Sequence, residues 1–153
     1  MMRSTLTTLM LLSCSLFSAS AADFFGTWNL NTAKSKAEGL PLPKQQTVTY
    51  TKTATGYDYM AHGSSAAGEA VHATFTYTKD GEEIKVSGFP NWDAIVVKKG
   101  MDIKTTVQLK RKGEVIGSVT RVLQPGGMAM TVSGKFTLPD GKKGAYNYVY
   151  DRK

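Results

Sequence analysis

The chain has 153 residues, 41% of them hydrophobic, with 19 Lys and Arg against 12 Asp and Glu for a net charge of +7. This length points to one domain with a genuine core and argues against a multidomain assembly. The basic residues are scattered from Lys34 to Lys143 and form no stripe with exposed aromatics, which argues against nucleic-acid binding; the single Cys rules out a disulfide framework.

The opening "MMRSTLTTLMLLSCSLFSASAADFF" reads as a secretory signal peptide. Arg3 supplies the charged start, Leu6 to Phe17 the short apolar run, and Ala19-Ser20-Ala21 a small-residue cleavage site. The run is too short for a transmembrane span. The expected division is a leader over 1–21 and a mature domain over 22–153, exported to the periplasm or beyond. "LLSC" also resembles a lipobox, so a lipid anchor through Cys14 is the alternative. If the leader is removed at Ala21, the mature chain keeps no thiol.

Beyond the leader no helical period is found. Val, Ile, Thr, Tyr and Phe alternate in short runs, the pattern of an all-β protein. The predicted strands are 26–31, 47–53, 57–62, 71–78, 82–87, 94–98, 103–111, 114–123, 128–138 and 145–152. Turn signals separate them: "KDGEE", "RKGE", "QPGG" and "PDGKKG". Short links favour an antiparallel meander, and closing it removes the exposed edges. The expected fold is a single antiparallel up-and-down β-barrel of about 8–10 strands.

Alternation sorts side chains to the inside or the outside. One inward row is Ile103, Thr105, Val107 and Leu109. A second is Met128, Met130, Val132, Gly134, Phe136 and Leu138. Tyr57, Tyr59 and Ala61 form a third, and Val71, Ala73, Phe75 and Tyr77 a fourth. On the last strand Tyr146, Tyr148, Tyr150 and Arg152 share a face. Facing inward, these Tyr hydroxyls would need partners such as water or a polar ligand head. Facing outward, they would leave Ala145 and Val149 inside.

"FFGTWNLN", followed by a meander of short strands, resembles the calycin superfamily of lipocalins, fatty-acid-binding proteins and avidins. The longer "GTWNLNTAKSK", with "GFPNWD" and a final "VYDRK", is similar to small exported bacterial lipocalin-like proteins. The resemblance implies that Trp28 plugs one end of the barrel under a late Arg, with Arg152 the first candidate and Arg121 the second. Two departures stand out. The lipocalin Thr-Asp-Tyr motif is missing. "AKSKAEGLPLPKQQ" is too short and too rich in Gly and Pro for the helical lid of fatty-acid-binding proteins.

The function expected is non-catalytic binding of a small apolar or amphipathic molecule. Phe75, Val107, Met130 and Phe136 would line the cavity, while Tyr59, Tyr77, Tyr148, Tyr150 and Arg121 would orient a head group. The alternative is a barrel filled by its own side chains, meeting an envelope component through its basic surface. No cofactor motif is present, and nothing sets an oligomeric state. His62 and His72 flank "GSSAAGEA" and could meet a metal with Asp58 or Glu69, but no spacing fixes such a site and none is expected. No acid–base–nucleophile set emerges, so no enzyme is expected. Phe89 and Trp92, around Pro90, either tuck under the barrel end or form a flap at its mouth.

Overall fold

The computed structural model describes residues 23–153. The leader, its cleavage site and Cys14 lie outside the described residues. The alternating runs form eleven strands: β1 (Gly26–Leu30), β2 (Lys36–Glu38), β3 (Gln45–Lys52), β4 (Tyr57–Ser64), β5 (Ala70–Tyr77), β6 (Glu83–Lys85), β7 (Ala94–Lys98), β8 (Lys104–Arg111), β9 (Glu114–Leu123), β10 (Ala129–Thr137) and β11 (Lys143–Arg152). Every pairing is antiparallel. There is no helix among the described residues. The β8–β9 hairpin turns on Lys112 and Gly113, both at positive φ (50° and 82°). That backbone matches the twist of the flanking strands, and Gly adopts it without strain.

The strand order is β5-β4-β3-β1-β11-β10-β9-β8-β7-β6. The two ends of this order meet at a single bridge, Thr74 to Ser87. The result is a nearly closed up-and-down barrel. β2 lies off this path and continues the line of β1 along β11, with Ala37 opposite Tyr146. Between β1 and β2 the chain loops out, and the Ser35 hydroxyl fills the gap. It donates to the Asn31 carbonyl at 2.7 Å and accepts from the Val149 N–H at 2.9 Å. A side chain thus satisfies a backbone donor that the broken ladder would leave unpaired.

The inward rows contain Tyr57, Ala61, Ala73, Tyr77, Thr105, Leu109, Met130 and Phe136, all buried. The last strand turns its Tyr face inward: Tyr148 and Tyr150 are buried, and Tyr146 packs against the core. The outward reading of that row is therefore wrong. Two row members also need correction. Ile103 is 59% exposed and Met128 is 64% exposed. Each sits just before its strand begins, at the rim of the barrel, where its backbone still pairs with the neighbouring strand but its side chain lies in solvent.

Alternating strand direction gives the barrel two different ends. Residues 23–25 and the β3–β4, β5–β6, β7–β8 and β9–β10 links gather at one end. The β2–β3, β4–β5 and β6–β7 links surround the other.

Candidate functional site: an aromatic-lined barrel interior

The first end is plugged. Trp28 is fully buried, and its indole N–H donates to the Phe24 carbonyl at 2.9 Å. The Arg152 guanidinium lies over the Trp28 ring at 4.2 Å. It also donates to the carbonyls of Phe25 (2.7 Å), Gly127 (2.8 Å) and Asp23. Residues 23–25 are thereby strapped across the barrel end. Of the two candidate arginines, Arg152 covers Trp28, and Arg121 covers Phe24 instead, at 3.5 Å from the ring centre. Arg121 is only 3% exposed. It donates to the Thr105 hydroxyl at 2.7 Å and the Gly100 carbonyl at 3.1 Å, tying the β7–β8 loop to the barrel. Tyr77 acts in the same place: its hydroxyl donates to Asp80 at 2.7 Å, and Asp80 also accepts the Gly100 N–H at 2.9 Å. The Gly100 N–H first, then the Tyr77 hydroxyl, hold the Asp80 carboxyl below its usual range.

The opposite end opens into a cavity of about 290 Å³. Leu40, Pro41 and Pro43 from the β2–β3 link and Phe89 and Trp92 from the β6–β7 link form its rim. Beneath it lies a smaller cavity of about 90 Å³. Tyr59, Phe89, Trp92, Val132 and Tyr146 line both, so these side chains form the partition between them. Larger depressions exist on the outside, one along Lys98–Thr106 and one over β2 and β9–β11, but they lie open to solvent.

Of the ligand-contacting residues expected from sequence, Tyr59, Phe136, Tyr148 and Tyr150 line the upper cavity, and Tyr59, Phe75, Val107 and Arg121 line the lower one. Tyr77 and Met130 line neither. Tyr77 is committed to Asp80 at the plugged end, and Met130 is fully enclosed by packing. Sequence reasoning left Tyr146 and Val132 out of the site, although both belong to inward rows. Phe89 and Trp92 combine their two readings, since they pack inward and border the mouth.

The interior is a nearly continuous aromatic belt. Tyr59 stacks on Phe75 at 4.6 Å, Phe89 on Trp92 at 5.3 Å, and Tyr146 on Tyr148 at 4.4 Å. Trp92 meets Phe136 edge-on at 5.3 Å. Tyr146 owes its position to Gly134, its cross-strand partner: a Cβ at Gly134 would come within 2.5 Å of the Tyr146 ring.

The polar groups in this belt are few. Tyr150 donates to the Gln46 side-chain carbonyl at 3.1 Å. Burial pushes the hydroxyls of Tyr59, Tyr146 and Tyr150 well above the ordinary phenol range, and that of Tyr148 up to about 12. They are neutral at physiological pH and serve as hydrogen-bond donors and acceptors. Arg121 supplies the one cation lining either cavity. Its Nε is buried without a hydrogen-bond partner, and among the described residues no carboxylate forms an ion pair with it. A buried cation without a counter-charge is costly. The site therefore offers stacking faces, neutral hydroxyls and one unneutralised charge at its floor.

Outside the barrel, His62 and His72 sit directly opposite each other on β4 and β5. Asp58 is engaged by the Thr76 hydroxyl at 2.7 Å. Among the described residues, no cluster of three His, Cys, Asp or Glu side chains comes together. Among the described residues no helix is long and apolar enough to cross a membrane.

In comparisons with protein-family models, curated proteins and solved structures, nothing matched this chain.

Proposed function

We propose that this chain is an exported, lipocalin-like carrier that holds a small amphipathic molecule with an anionic head inside its barrel. The observation that carries this reading is the unpartnered Arg121 Nε beside an apolar, aromatic-lined cavity open at the far end. An apolar tail would occupy the upper cavity, where few polar groups compete for it. A carboxylate placed in the lower cavity would neutralise Arg121 and accept its free N–H, a charge-assisted bond. The tyrosine hydroxyls would satisfy the remaining lone pairs. The upper volume of about 290 Å³ falls at the lower limit of ordinary ligand pockets, roughly 300–1,000 Å³, so the ligand is small.

The test is a fluorescence titration with a medium-chain fatty carboxylate and with the alcohol of equal length. Trp92 borders the cavity and reports occupancy, while Trp28 is sealed at the other end. The carboxylate is expected to bind saturably and at least about tenfold tighter than the alcohol. Arg121→Met is expected to abolish that preference while leaving residual binding of both. Equal affinities in the parent protein would contradict the anionic-head assignment.

A filled structural barrel is the competing reading, favoured by the small lower cavity and by the packing of Phe24, Tyr57 and Arg121 above the plug. It would leave no saturable binding of either probe.

A further inference from the structure

The chain contains two histidines, and they are cross-strand partners: His62 on β4 opposes His72 on β5. Their neighbours Ala61 and Ala73 are buried, so the pleat sends both imidazoles outward, where both residues are exposed. The hydrogen-bond phase of the ladder determines how closely they approach. Thr74 exchanges both backbone bonds with Ser87, on the side away from β4 (3.1 and 3.3 Å). Along a strand the backbone groups of alternate residues point to opposite neighbours. His72, two residues from Thr74, therefore also turns its backbone away from β4. Consistently, a Cβ on Gly88 would come within 1.8 Å of the His72 carbonyl oxygen. His62 and His72 thus form a non-hydrogen-bonded pair, the narrower kind, with Cα atoms about 4.5 Å apart and side chains closest.

Met60 lies on the same outer face, two residues before His62 and diagonal to His72, and is 40% exposed. Diagonal neighbours on one face lie within reach of a long side chain. The outward residues of β3, β4 and β5 include no Lys or Arg, and Asp58 is their only charged side chain. A basic side chain borders the face from outside these strands: Lys153 lines a depression with Thr47, Thr49 and His62. Two imidazoles and a thioether make a soft, nitrogen- and sulfur-rich donor set, which suits Cu(I) better than Mg, Ca or Mn.

We propose that the outer face of β4–β5 is a copper site, with His62 and His72 as imidazole ligands and Met60 as a thioether ligand to Cu(I). The site is independent of the barrel interior, because alternation places the two on opposite sides of the same strands.

The test uses the full chain carrying Cys14→Ser, so that no thiol competes. Cu(I), kept reduced by ascorbate, is measured in competition with a chromogenic chelator. Ni²⁺, which binds imidazole but has little use for a thioether, is measured in parallel. The expected result is one Cu(I) per chain. His62→Asn and His72→Asn should each weaken Cu(I) and Ni²⁺ by more than about tenfold. Met60→Leu should weaken Cu(I) severalfold and leave Ni²⁺ unchanged. All three side chains lie on the outside, and near-ultraviolet circular dichroism of the interior aromatics checks that each variant is folded. Copper binding unaffected by both histidine replacements would overturn the site, as would no binding at all. Cu(I) affinity unchanged in Met60→Leu would overturn the three-ligand assignment.

Discussion

Removing the Trp28 side chain is the most informative single perturbation of the plug. The ring is fully buried, donates to the Phe24 carbonyl and carries Arg152 on its face. Truncating a buried aromatic to Ala costs about 3–5 kcal/mol. Arg152 keeps its bonds to the carbonyls of Asp23, Phe25 and Gly127, so its charge stays solvated by the protein. The loss should therefore not exceed that range, and about 4 kcal/mol is expected for Trp28→Ala. Against a total stability of roughly 5–15 kcal/mol, this is a large fraction, lowering the folded-to-unfolded ratio about a thousandfold. Trp28→Phe keeps a ring under Arg152 but loses the indole hydrogen bond and part of the ring's volume, so about 1–3 kcal/mol is expected. The assay is urea unfolding followed by far-ultraviolet circular dichroism, with the slope against denaturant compared between variants. A loss below about 1 kcal/mol for Trp28→Ala would refute its role as the plug. Equal losses for the Ala and Phe variants would refute the contribution of the stacked guanidinium.

Three further outcomes follow from the geometry. All seven tyrosines face the interior or the plug, and burial raises Tyr77 and Tyr148 to about 12 from an ordinary 10.0. The unfolded chain releases these protons near pH 10 while the folded chain retains them, so stability is intact below pH 10 and falls as pH rises from about 10 to about 12. Phenolate absorbance should accordingly appear together with loss of the fold; smooth ionisation from pH 10 in an intact barrel would contradict it. Gly134→Ala places a methyl against the Tyr146 ring and pushes that ring into the cavity. It should weaken binding of the carboxylate probe severalfold with little change at the plug; unchanged affinity would remove Tyr146 from the site. Ser35→Ala leaves the Val149 N–H without its partner and should cost about 1–3 kcal/mol in urea unfolding; a cost near zero would mean water replaces the hydroxyl.

The barrel was legible because its strands keep a period of two over enough residues to separate the faces. β4, β5, β8 and β10 show this, and their inward rows correspond to buried positions. The pattern failed where the pleat ends. Ile103 and Met128 continue the alternation by one residue and still accept a backbone bond from Leu123 and Arg152, but they sit at the rim of the barrel and lie in solvent. β2 was missed because it has three residues, Lys36, Ala37 and Glu38, and owes its pairing to β11 and to the Ser35 bridge. The choice between Arg121 and Arg152 depended on Phe24, which belongs to no strand and has no periodic signature. Phe89 and Trp92 sit in a Pro-containing loop, where composition allowed two readings and only packing placed them at the mouth. Alternation gives the direction of a side chain but not the volume left between opposing rows. The cavity therefore had to come from the three-dimensional arrangement.

The most direct test of the carrier account is mass spectrometry of the protein purified from its source, recorded natively and again after solvent extraction. The account predicts a stoichiometric small molecule of anionic, amphipathic character, retained in the native spectrum and released by extraction. It also predicts that Arg121→Met co-purifies with much less of that molecule. An empty barrel that stays empty after incubation with a mixed extract of carboxylate-bearing amphiphiles would contradict it.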